Sequence, residues 1–189
     1  MQPLARTWRD AALRVLVAVG LTVLAVSLVG CGASLNDNAK IAIVSAQQAQ
    51  VAAGATYNDA KNSETVASQA CASAAQRSGQ AVAPPANEAD WPRVRDLCAS
   101  LGAPIPYNPF VLQRLAGPIN SLEDLIQRAN NVRVAFEGGT ITSDSLVAAI
   151  SQLASAFVQI ETDLASAGIS VPQPVNDAAT TLKSLGAGK

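Results

Sequence analysis

Large apolar residues recur along this chain at steps of three and four, the spacing of one helix face, in separated stretches. The first is thin. Asn36 or Asn38 can cap a helix beginning near Ala39, and Ile41, Val44, Val51 and Ala55 form its expected stripe. Between Val51 and Val66 the one large apolar side chain is Tyr57, so a break is expected around Gly54 to Asn58. The helix resumes through Glu64, Val66, Ala70 and Cys71 and ends near Gly79. Pro84-Pro85 then interrupts the chain. Asn87 or Asp90 can cap the next helix, and Pro92 suits its first turn, where a missing N–H costs nothing. Trp91, Val94, Leu97, Cys98 and Leu101 share one face of it, and Gly102 stops it. Residues 103–109 hold Pro104, Pro106 and Pro109 and read as a rigid extended connector.

The second half of the chain is more strongly patterned. Asn108-Pro109 repeats the cap-then-proline signal, followed by a stripe of Phe110, Leu112, Leu115, Ile119, Leu122, Leu125, Ile126, Ala129, Val132 and Phe136. Pro118 lies inside it, which predicts a kink or a two-part helix joined near Gly117. Gly138-Gly139 closes that segment. Thr142 or Ser143 caps a helix through Leu146, Ile150, Leu153, Phe157, Ile160 and Leu164, which Gly168 ends. A last short helix carries Val175, Ala178, Leu182 and Leu185. No segment alternates with period two. The pattern therefore predicts an all-α bundle of four to five helices, antiparallel with short loops, over residues 39–185, with a frayed tail at 186–189.

Composition sharpens one element. The first helix is built mainly of alanine and small polar residues, which bury little area each at about 25 cal/mol per Å². It must pack closely against other helices, or use that close approach to recruit a second subunit or an envelope partner. Phe136, Phe157 and their Leu and Ile neighbours are where a core pocket for a small ligand would open.

The N-terminus carries a different signal. Arg6, Arg9 and Arg14 precede an uncharged run from Val15 to Val29, broken in polarity only by Thr22 and Ser27, and the run stops at Leu28-Val29-Gly30-Cys31. About fifteen apolar residues are too few to span a bilayer, which takes roughly 20, and suit the core of a secretory signal. The arrangement resembles the signal peptide and lipobox of bacterial lipoprotein precursors. The resemblance covers residues 1–31 only. It implies diacylglyceryl transfer to the Cys31 thiol and cleavage between Gly30 and Cys31, leaving residues 31–38 as lipidated N-terminus and tether. It also implies export and attachment to the cell membrane through the lipid on Cys31, with Gly32 favouring an outer membrane where the host has one. Two other readings stay open: an ordinary signal peptide cut after Ser27, and an uncleaved anchor held by the three arginines.

Charge and side-chain chemistry mainly exclude. Taking Arg6, Arg9, Arg14 and Asp10 from the 13 basic and 14 acidic side chains leaves ten and thirteen, a net charge of −3. That weakly acidic balance, with no basic stripe beside aromatics, sets nucleic acid aside. The chain has no histidine, so His-based general bases, triads and metal sites have no residue to stand on. No Gly-x-Ser-x-Gly, Ser-x-x-Lys or phosphate-binding glycine motif occurs, and neither a cofactor nor a metal is expected. Acid pairs such as Glu123-Asp124 and Glu161 with Asp163 read as solvated faces. Residues 136–146 look like half of an EF-hand loop but lack carboxylates where calcium needs them, and read as a turn with a cap.

With Cys31 taken by lipid, Cys71 and Cys98 remain as an even pair in a compartment where disulfides persist. A bridge between them is expected, two buried free thiols being the alternative. Trp91, Tyr107 and Phe110 flank the proline connector and could line a groove for a ligand or partner, or simply seal one end of the bundle. Together these features point to a non-enzymatic envelope lipoprotein that acts by contact with protein, with cell wall or with its own copies. A small-ligand binding or carrier module is the alternative, and an enzyme working without histidine comes last.

Overall fold

The computed structural model describes residues 34–186. The leader 1–30, the cleavage pair Gly30 and Cys31, and tail residues 187–189 lie outside that range. Five α-helices make up the fold: α1 (Leu35–Arg77), α2 (Trp91–Ser100), α3 (Pro109–Glu137), α4 (Ser143–Ser166) and α5 (Gln173–Gly186), with a 3₁₀ turn at Glu88–Asp90. The described residues form an all-α five-helix bundle with one disulfide, Cys71–Cys98.

α3, α4 and α5 follow from their sequence stripes. Leu115, Leu122, Leu146, Leu153, Phe157, Ile160, Leu164, Val175 and Leu182 are all fully buried. The short connections at 138–142 and 167–172 reverse the chain, so these three helices alternate in direction. The turns are set by glycine. Gly139 (φ +69°) and Gly168 (φ +71°) occupy the left-handed conformation that ends a helix at low steric cost. α1 lies along α3 and α5 and only grazes α4, completing a four-helix arrangement with α1 and α4 diagonal.

α1 departs from its expected form in three ways. It starts at Leu35 rather than near Ala39, because Ser34 supplies the cap: its Oγ accepts from the Asp37 N–H. Residues 35–38, expected in the tether, are therefore helical. It does not break at Gly54–Asn58 but runs for 43 residues, about 64 Å at 1.5 Å per residue. Its buried face is also not the valine stripe. Val44 and Val51 point outward, 48% and 73% exposed. Ala39, Ala42, Ala46, Ala49, Ala53, Ala60 and Ala67 face inward, joined by Ile43. These alanines step by three, four and seven, a heptad spacing that keeps one narrow seam of small side chains against α3 and α5. Apart from Ile43, the large residues of that seam come from the other helices, so the small ones on α1 allow close approach.

Pro118 does not split α3. The helix continues from Pro109 to Glu137 with the proline inside it. The residue before a helical proline is crowded through its Cβ, and here it is Gly117, which has none. The cost is confined to one missing backbone hydrogen bond on a helix whose other turns are held by buried leucine and isoleucine.

A groove at the disulfide end

The first and last turns of α1 are fixed by different devices. At its N-terminal end, the half-buried Arg133 of α3 donates to Asn36 at 3.3 Å and to Glu137 at 2.8 Å, tying the end of α3 to the start of α1. α1 and α3 therefore run antiparallel. At its other end α1 outruns the four-helix core, and α2 covers it. The Cys71–Cys98 bridge joins the two helices across a Cα–Cα distance of 5.3 Å. Around it forms a second, small apolar cluster, separate from the main core: Cys71, Val94 and Cys98, with Val82, Trp91 and Ala103 packed against them.

The connector wraps this end. Asn87 caps the 3₁₀ turn by accepting from the Asp90 N–H, and Asn108 caps α3 by accepting from the Phe110 N–H at 3.0 Å. Asp90 itself makes no capping hydrogen bond. Glu88 and Arg114 form a two-point ion pair, with Arg114 Nη2 donating to Glu88 Oε1 at 2.9 Å, which fastens the 3₁₀ turn to α3. The hydrogen-bonded Arg114 guanidinium holds the Glu88 carboxyl below the ordinary glutamate value.

Between these parts runs an open groove of about 530 Å³. One wall is α1, through Glu64, Ser68, Gln69 and Ala72; the opposite wall is the start of α3, through Pro109, Phe110 and Gln113. The disulfide, Val94, Trp91 and prolines 84, 85 and 106 close it. Its size is within the range of small-molecule sites, roughly 300 to 1,000 Å³. Glu64 is the one ionisable group in the lining, and its Oε1 accepts from Ser68 Oγ at 2.8 Å.

The expected trio is thus brought together in part. Trp91 and Phe110 line one groove. Tyr107 turns away and packs against the main core. The polar wall from α1 was missed, because Glu64 and Ser68 are one turn apart and some 25 residues before Trp91 in sequence. Only the disulfide register brings them opposite the aromatic residues. Phe136 and Phe157, where a core pocket would open under the ligand-binding alternative, both pack into the main core, Phe157 fully buried and Phe136 partly so.

Elsewhere the charges lie outward. No buried polar or charged residue occurs among the described residues. Glu161 of α4 is raised above the ordinary glutamate value by partial burial, opposed by Lys183 of α5. Among the described residues no group of acids and cysteines could hold a metal ion, and no helix is long and apolar enough to cross a membrane. The chain matches no family model, no curated protein and no solved structure.

Proposed function

We propose that this protein is a lipid-anchored envelope lipoprotein that holds a helical bundle on a membrane surface and acts there by contact rather than by catalysis. The observation that carries this reading is the sequence Leu28-Val29-Gly30-Cys31 at the end of the uncharged run. The fold supports it in a specific way. Leu35, the first helical residue, is four positions after Cys31, so at most about 14 Å of chain separates lipid from bundle. The Arg133–Asn36 contact fixes the α1 start to the end of α3, so under this reading that end would face the membrane. From there α1 carries the disulfide cap outward by its full length. An extended helical post with its cap far from the bilayer suits a protein that meets a partner in the envelope space.

A second reading is favoured by the groove: a binding or carrier module that takes a small ligand at the outer end. Labelling cells with a lipid precursor tests the first. Wild type should be marked and Cys31→Ala should not; equal labelling of both removes the anchored reading. Ligand titration of the groove tests the second, and the two outcomes are independent.

A further inference from the structure

We propose that the groove at the disulfide end takes a small organic cation: an apolar body with one ammonium head that pairs with Glu64. This rests on the binding-module reading and names its ligand class.

The lipid proposed on Cys31 does not reach the groove. Glu64 lies 29 residues along α1 from Leu35, about 44 Å of helix, so a lipid on Cys31 with four residues of slack falls far short of the groove.

The lining selects among outside ligands. An anionic lipid or fatty acid would find no lysine or arginine in the groove, and it would meet the Glu64 carboxylate. A peptide would find little for its backbone. Pro84, Pro85, Pro106 and Pro109 have no N–H to offer, and the remaining lining is largely helical, with its backbone bonded internally. Peptide carbonyls buried there would find no backbone donors and only the side-chain donors of Gln69, Gln113 and the Trp91 indole N–H. A cation with an apolar body meets neither obstacle. Glu64 accepts from Ser68, and no cation pairs with it among the described residues. Ser68 donates to one carboxylate oxygen and leaves the other open to a charged donor. Trp91 and Phe110 also line the groove, and the faces of such rings attract a cation and repel an anion.

The test uses the full chain in phosphatidylcholine nanodiscs, with empty discs as blank, and three probes of one shape: 4-phenylbutylammonium, 4-phenylbutanol and 4-phenylbutanoate. Calorimetric titration should give the order ammonium, then alcohol, then carboxylate. Glu64→Gln keeps the helix and an acceptor for Ser68, and should weaken the ammonium about tenfold while leaving the alcohol unchanged. Ala72→Trp, which fills the groove from an exposed position on its wall, should abolish all binding. Equal affinity for ammonium and alcohol, or no effect of Glu64→Gln, overturns the cation assignment while leaving an apolar binding groove. Carboxylate binding best also overturns it. No probe binding to wild type overturns the assignment and the binding-module reading together. Circular dichroism of both variants checks that loss of binding is not loss of fold.

Discussion

Single residues in this fold show where small and large effects should fall. Gly54 sits in the middle of α1 with ordinary helical geometry, and a Cβ built there would meet nothing within 4 Å. Its cost is purely conformational, so Gly54→Ala should raise the unfolding free energy by about 0.5–1 kcal/mol in urea denaturation. The same change at Gly117 should not help, although the space is equally open, because an alanine Cβ there would crowd the ring of Pro118. Two carboxyls respond to acid with opposite sign. Glu88 has its folded value lowered by Arg114, so the Glu88–Arg114 tie is fully formed above the unfolded value of 4.5 and is lost as pH falls through the lower folded value. Glu161 has its folded value raised by partial burial, so it works against the fold at neutral pH and this is relieved as pH falls through the folded value toward 4.5. Thermal melts of Glu88→Gln and Glu161→Gln between pH 3 and 7 should therefore deviate from wild type in opposite directions at neutral pH, the first melting lower and the second higher.

Among the elements, α1 is where the sequence pattern misled. Its large residues, Val44 and Val51, suggested the buried stripe, yet the seam is the alanine heptad on another face. Hydrophobicity alone cannot rank a few exposed valines against many buried alanines. The deciding term is how closely α3 and α5 approach, and a linear pattern does not contain that. The claim is testable by contrast. Ala46→Leu, at a fully buried seam position, should cost about 1–3 kcal/mol through overpacking, whereas Val51→Ala should change stability by under about 0.5 kcal/mol. The reverse result would restore the valine face. By comparison the buried stripe of α4 was legible, although Thr142 at its N-cap makes no side-chain capping hydrogen bond. The six residues of its expected stripe, Leu146, Ile150, Leu153, Phe157, Ile160 and Leu164, are all buried, because large side chains at strict helical spacing leave one way to pack. The cap of α1 by Ser34 escaped notice since two asparagines nearby offered the same chemistry. Pro118 misled for the same kind of reason: its effect depends on Gly117 and on the packing of the turns around it.

At the scale of the whole molecule, two apolar clusters divide the labour. The main core joins α1, α3, α4 and α5, while the smaller one around Cys71, Val94 and Cys98 holds α2 against the outer end of α1. The bridge spans 27 residues, and closing that loop in the unfolded chain is worth about 3.5 kcal/mol in the chain-entropy estimate. Because the clusters are separate, reducing the bridge should free α2 and empty the groove while sparing most helix. Circular dichroism should then lose little more than the ten residues of α2, and probe binding should disappear. The pairing was readable from cysteine parity; the groove it creates was half readable, through Trp91 and Phe110 but without the α1 wall. What ties this architecture to a cell is the proposed lipid on Cys31, which would turn the α1 post into a membrane-mounted one. Intact-mass and N-terminal peptide mass spectrometry of the protein isolated from its native envelope tests that most directly. The expected product begins at Cys31 and carries diacylglyceryl mass on that residue. An unmodified Cys31 thiol, or residues 1–30 still attached, would contradict it.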